Sequence, residues 1–131
     1  MSREIVEAVR ASYDAQARGD LEAALAAADP EIEVYDHDIL DAGDYRGFSG
    51  YARWLEDFGS AWAEYNLAPE EYIDAGEHAI VVFKVSATGA GSGIRVERQD
   101  AMVCEMRNLK AVRIDYHNNR EQALKSIGLE G

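Results

Sequence analysis

The feature that most constrains this chain is where its hydrophobic period changes. Over residues 3–18, Ile5, Val9 and Tyr13 recur at i, i+4 and i+8, with Val6 beside them, which predicts an amphipathic helix. Gly19 ends that helix, and Asp20 is placed to cap a second one carrying Leu21, Ala24, Leu25 and Ala28, which stops at Asp29-Pro30. From Glu31 the period becomes two. Ile32, Val34 and Asp36 fall on one face of a strand, and Glu33, Tyr35 and His37 on the other. After a polar, Gly-containing loop to Gly47, Ser49 suits the N-cap of a third helix with Tyr51, Trp54, Leu55, Phe58 and Trp62 at helical spacing. Beyond Tyr65 the period is two again. Strands are expected near Asn66–Asp74, then over Ala79–Thr88, Ile94–Arg107 and Ala111–His117, parted by Asp74-Ala75-Gly76, by Gly89–Gly93 and by Asn108-Leu109. Asn118 and Glu121 set an N-x-x-E cap before a short closing helix that Gly128 ends.

Helices first and long consecutive strands afterwards predict an α+β fold. Long antiparallel strands curl, and helices then cover the concave side. The expectation is one domain over residues 1–131: a curved antiparallel sheet forming a cone-shaped half barrel around three helices, with an apolar internal pocket. Strands Ala79–Thr88 and Ile94–Arg107 carry apolar residues at both parities, for example Ile80 and Val82 against Val81 and Phe83. One face can line the interior. The other needs cover, and a homodimer through the outer sheet face would supply it.

Composition narrows the partners. The chain has 13 Lys+Arg against 25 Asp+Glu, a formal charge of −12. That balance argues against nucleic acid and against an anionic membrane surface. No apolar run approaches the ~20 residues that span a bilayer, and the opening MSREIVEAVR lacks the form of a signal peptide. The single cysteine, Cys104, suits a reducing cytoplasm and a small core position. No Cys/His cluster has metal spacing, so neither a metal nor a cofactor is expected. A small apolar molecule is the expected partner.

Several stretches together resemble the nuclear-transport-factor-2-like superfamily, in its SnoaL-like and ketosteroid-isomerase-like branch. They are Tyr13-Asp14-Ala15-Gln16-Ala17-Arg18-Gly19-Asp20-Leu21, Ile32-Glu33-Val34-Tyr35-Asp36, Tyr45-Arg46-Gly47-Phe48-Ser49-Gly50 through Trp54, and Val112-Arg113-Ile114-Asp115 through Asn119-Arg120-Glu121-Gln122-Ala123-Leu124. The resemblance covers nearly the whole chain. It implies the half-barrel fold with an internal pocket, and a protein acting as isomerase, cyclase, hydrolase or non-catalytic binder.

Asp36 shares the apolar face of Ile32 and Val34, where desolvation would raise its pKa and fit it as a general base. By resemblance it falls where ketosteroid isomerases keep their base. The bland alternative is a loop cap or an ion pair. The isomerase tyrosine position is Ser12 here, one residue before Tyr13, and the second oxyanion donor maps near Met102, which cannot donate. Tyr13 and Tyr116 are therefore the candidate hydrogen-bond donors beside Asp36. Glu97-Arg98-Gln99-Asp100 resembles a limonene-epoxide-hydrolase motif as text but falls one strand late; an ion pair between Arg98 and Asp100 on one strand face is expected instead. Asp115 points away from Tyr116 by alternation. His37 and His117 read as exposed histidines at strand ends, His78 as a solvated turn residue, and Asp38 and Asp41 as a solvated loop that could rim the pocket. Trp54, Phe58, Trp62, Asp100, Met102, Ile114 and Asn118 are the expected pocket lining. Two functions follow: a small-molecule isomerase or cyclase acting through Asp36 on a polyketide- or steroid-like metabolite, or a non-catalytic binder of a small apolar ligand.

Overall fold

The computed structural model describes residues 2–37, 45–60 and 62–129; Asp38 and Asp41 lie outside the described residues, as does the side chain of Trp62. In chain order the elements are α1 (Ser2–Arg18), α2 (Leu21–Ala26), β1 (Ala28–Asp36), β2 (Tyr45–Arg46), α3 (Gly47–Ser60), β3 (Trp62–Ala75), β4 (His78–Gly89), β5 (Arg95–Arg107), β6 (Lys110–His117) and α4 (Arg120–Ser126). The six strands form one sheet in the order β2-β1-β6-β5-β4-β3, curved and unclosed, with β2 and β3 at its edges. The α+β expectation holds. Four neighbouring pairs are antiparallel, and β1–β6 is parallel. The two strands of that pair are far apart in sequence, so no hairpin constrains their direction.

Local chemistry explains most boundaries. Gly19 takes φ +72° to end α1, and the Asp20 carboxylate then accepts from the Ala23 N–H at 3.1 Å to start α2. Helix α2 stops at Ala26, earlier than expected, because Asp29-Pro30 already belong to β1. Pro30 is tolerated there by a register irregularity between Ala28 and Glu33, and Asp29 accepts from the Glu31 N–H at 2.9 Å. Helix α3 begins at Gly47, two residues before Ser49. It follows the two-residue strand β2, which pairs with Glu33 and Val34 of β1. A Cβ at Gly50 would lie 2.8 Å from the Tyr45 backbone carbon, so a residue without one lets β2 press against the helix. Trp62 opens β3 and does not extend α3.

The sheet buries both faces, which accounts for its two apolar parities. The concave side carries Val81, Phe83 and Val85 of β4, Met102 and Cys104 of β5, and Ile114 and Tyr116 of β6. These pack with Val9 and Tyr13 of α1 and Tyr51 and Trp54 of α3. On the other side, Ile80, Val82, Ala101 and Val103 are covered by Ala123 and Leu124 of α4. The closing helix thus gives part of the cover that the sequence assigned to a second copy. Its cap is Asn119, whose side chain accepts from the Gln122 N–H at 2.7 Å; Asn118 is exposed.

Candidate functional site

Between α1, α2, α3 and the concave sheet lies a cavity of about 320 Å³. Its inner wall is aromatic. Tyr13 comes from α1, Trp54 and Phe58 from α3, Phe83 from β4, Met102 from β5 and Tyr116 from β6. Phe83 sits between Tyr13, at 5.2 Å between ring centroids, and Tyr116, at 5.8 Å. Tyr116 also meets the edge of Trp54 at 6.0 Å and Phe58 at 5.9 Å. The i, i+4 spacing of Trp54 and Phe58 turns both rings to the same sheet residue. At the outer end the wall includes the exposed side chains Leu21, Tyr65 and Glu56, together with Asp20.

The acids expected at this site are buried beside the cavity, behind its rings. Asp36 is only 7% exposed, on the face with Ile32 and Val34 as alternation required. The Trp54 indole N–H donates to its Oδ2 at 2.7 Å. Trp54 lines the cavity and Asp36 does not, so the indole stands between the carboxylate and the lumen. Asp100 is fully buried and forms the expected ion pair with Arg98, at 2.8 Å, and it accepts from the Tyr116 hydroxyl. Burial, followed by the Asp100 charge, pushes the Tyr116 phenol far above its usual range despite the opposing Arg98 guanidinium. Tyr116 therefore stays protonated, with its proton directed at Asp100. Tyr13 is raised as well, by burial first and then by Tyr72, and its buried hydroxyl has no protein partner among the described residues. Both tyrosines can be hydrogen-bonding groups but not bases at neutral pH.

The other expectations sort by geometry. Trp54, Phe58 and Met102 line the cavity, as do the candidate donors Tyr13 and Tyr116. Asp100 and Ile114 are buried but are not on its wall, and Asn118 is exposed because the chain has already turned towards α4. Sequence reasoning missed Gln16, Leu55, Phe83, Asp20 and Glu56 as wall residues. Gln16 was accessible to it: it lies three residues after Tyr13 on the same face of α1 and donates to the Tyr51 hydroxyl at 2.6 Å. Burial pushes that Tyr51 phenol up to about 12.

On the outer face, His37 contacts Asp115 at 2.8 Å and stacks on His117 with centroids 4.6 Å apart. His117 is not exposed, as expected for a strand end, but 6% accessible. Burial first, then His37, lowers its pKa. Asp115 points outward as alternation predicted; burial works to raise its pKa, but bonds from Arg113 and His37 outweigh that and hold it low. His78 is half-buried, 3.8 Å from Glu105, and not freely solvated. Among the described residues, no group of three His, Cys, Asp or Glu side chains converges as metal ligands would, and no helix is long and apolar enough to cross a membrane.

The sequence profile of the SnoaL-like domain matches residues 9–114. Similar solved structures include a nuclear-transport-factor-2-like protein of unknown function from Burkholderia pseudomallei. It is 26% identical over 98% of this chain and 99% of its own, with a TM-score of 0.79. A proposed SnoaL-like polyketide cyclase from a Jannaschia species is 13% identical, over 88% of this chain and 85% of its own, with a TM-score of 0.79. TerC, co-crystallised with polyporic acid, is 22% identical over 88% of this chain and 92% of its own, with a TM-score of 0.76. No curated protein matches the chain.

Proposed function

Given that the chain belongs to the SnoaL-like domain family, we propose that it takes up a small, apolar, ring-bearing metabolite of polyketide- or steroid-like type. The observation that carries this reading is the cavity itself. Its 320 Å³ falls at the lower end of small-molecule pockets, and its inner wall is made of aromatic rings and Met102. Binding is the function the geometry supports best. Both nearby carboxylates, Asp36 and Asp100, are engaged behind wall residues, and the wall tyrosines stay protonated.

The second reading makes the protein an isomerase or cyclase with Asp36 as general base and Tyr13 or Tyr116 as donor. Two observations favour it: Asp36 is buried one indole away from the lumen, and similar structures carry the name of polyketide cyclase. A turn of the Trp54 ring would then admit the substrate to the carboxylate. The homodimer belongs to the same proposal. A second copy would cover the part of the outer face of β4 and β5 that lies beyond Ile80, Val82, Ala101 and Val103, the residues on which α4 packs. Light scattering should return twice the chain mass at micromolar concentration; a monomer mass would remove the dimer. The buried free thiol of Cys104 supports a reducing compartment such as the cytoplasm.

One ketone probe tests both readings. Titrating 1-tetralone against a Trp62→Phe variant leaves Trp54 as the fluorescent reporter on the cavity wall. Saturable quenching is expected, and Ala52→Phe, which fills the lumen without adding a second indole, should weaken it at least about tenfold. If quenching is absent, or unchanged by Ala52→Phe, the cavity is not the binding site. Proton–deuterium exchange beside the tetralone carbonyl, followed by NMR in heavy water, then separates binding from chemistry. Catalysed exchange that disappears in Asp36→Asn supports the base; exchange that persists removes Asp36 from that role.

A further inference from the structure

The charge lining the cavity is of one sign. Six rings face it, from Tyr13, Trp54, Phe58, Tyr65, Phe83 and Tyr116, and its two formal charges, Asp20 and Glu56, are both negative. Among the described residues no Lys, Arg or His lines it. The cation beside Asp20 is Arg18, at 3.2 Å, but Arg18 also pairs with Asp14 at 3.1 Å, so that trio keeps one net negative charge. Glu56 is exposed and forms no ion pair among the described residues. Both acids stand with Tyr65 at the solvent end of the wall, while the other five rings lie deeper. The whole chain carries −12.

Building on the reading that this cavity holds a small ring-bearing molecule, we infer that it selects by charge: it takes neutral and cationic ligands, favours a protonated amine at the mouth, and rejects carboxylates and phosphates. Three physical effects act in the same direction. Aromatic faces attract cations through their quadrupole. The mouth carboxylates attract an ammonium and repel an anion. A net negative surface concentrates cations at a low-dielectric cleft. An anion would leave water for a wall that offers no cation to replace its hydration. The ligand class is thus an aromatic or alicyclic body without an acidic group, with an amine placed to reach Asp20 and Glu56.

Three near-isosteric probes read this directly: 2-naphthylmethylamine as the cation, 2-naphthylmethanol as the neutral form and 2-naphthoate as the anion. Calorimetric titration at low salt should rank them in that order. The ammonium should bind about fivefold to tenfold tighter than the alcohol, and the naphthoate at least about tenfold weaker than the alcohol. Salt near 1 M should compress the ammonium's advantage and leave the alcohol unchanged. Glu56→Gln combined with Asp20→Asn, which keeps the helix cap, should shrink the ratio of ammonium to alcohol affinity to about twofold or less, whatever it does to either affinity alone. Naphthoate binding as tightly as the ammonium, or an order insensitive to the double substitution, overturns the inference although the cavity binds. If none of the three binds, the cavity reading beneath it falls as well.

Discussion

Replacing Trp54 by Phe tests what holds Asp36 in place. The indole N–H donates to the Asp36 carboxylate at 2.7 Å, and both side chains are nearly fully buried, at 2% and 7% exposure. A hydrogen bond to a charged acceptor contributes about 1.5–3 kcal/mol. Shrinking the indole to a phenyl ring removes buried apolar surface worth about 1 kcal/mol more. Trp54→Phe should therefore cost about 3 kcal/mol, a fall in the urea midpoint of roughly 1.5–2 M for a domain of this size. Asp36→Asn should cost less, about 1 kcal/mol, because the amide oxygen can still accept from the indole. The double variant should be more stable than the two single losses imply, by about 1 kcal/mol, since the part of the bond that Asp36→Asn weakens has already gone with the indole. Urea unfolding followed by far-ultraviolet circular dichroism at neutral pH measures all four proteins without relying on tryptophan fluorescence. Costs that add to within about 0.3 kcal/mol would refute the claim that the indole holds the carboxylate.

Leu109 sits at φ +62° in the β5–β6 turn and is 49% exposed, so Leu109→Gly should relieve left-handed strain and stabilise the fold by about 1 kcal/mol. A thermal scan showing no rise of a few degrees would contradict that. His117 is kept below its ordinary pKa, so its neutral form favours the fold above the unfolded value of 6.5, and that stability is lost as pH falls from there towards the folded value. Urea midpoints taken from about pH 7.5 down to about 5.5 should fall less steeply for His117→Gln than for the parent; equal slopes would clear His117 of the effect. Burial pushes the Cys104 thiol up to about 12, so an aromatic disulfide reagent should leave it unmodified in the folded protein and titrate one thiol in urea. Rapid stoichiometric reaction of the native protein would show that the site opens.

The fold was legible where period and turn chemistry agree. Asp20, Gly19 and the alternation from Ile32 to Asp36 use only neighbours in sequence, and each behaves as its local chemistry requires. Boundaries moved where a distant partner decides. Pro30 joins a strand because β6 lies beside it and a register shift absorbs the missing donor. Tyr45-Arg46 becomes a strand only by pairing with Glu33 and Val34. Trp62 continues the helical spacing of Trp54 and Phe58, yet its backbone pairs with Gly89 of β4, and that pairing outweighs a pattern that helix and strand can share. At the site, alternation correctly buried Asp36. It could not show that Trp54 would stand in front of it, because that depends on the crossing of α3 over β1. His117 was misplaced for a similar reason: a strand end reads as exposed until the His37 ring is laid against it.

A small ring-bearing molecule occupying the space between α1, α2, α3 and the concave sheet must perturb the side chains on that wall. Methyl-resolved NMR during a 1-tetralone titration tests it most directly, because the wall carries its own reporters in Ala15, Ala52, Leu55 and Met102. The outer face carries controls in Ile80 and Val103 under α4. Saturable shifts are expected at the methyls of these four wall residues, largest at Met102 among the rings, with Ile80 and Val103 unmoved. Shifts centred on Ile80 and Val103, or none at Met102 under saturating ligand, would contradict it.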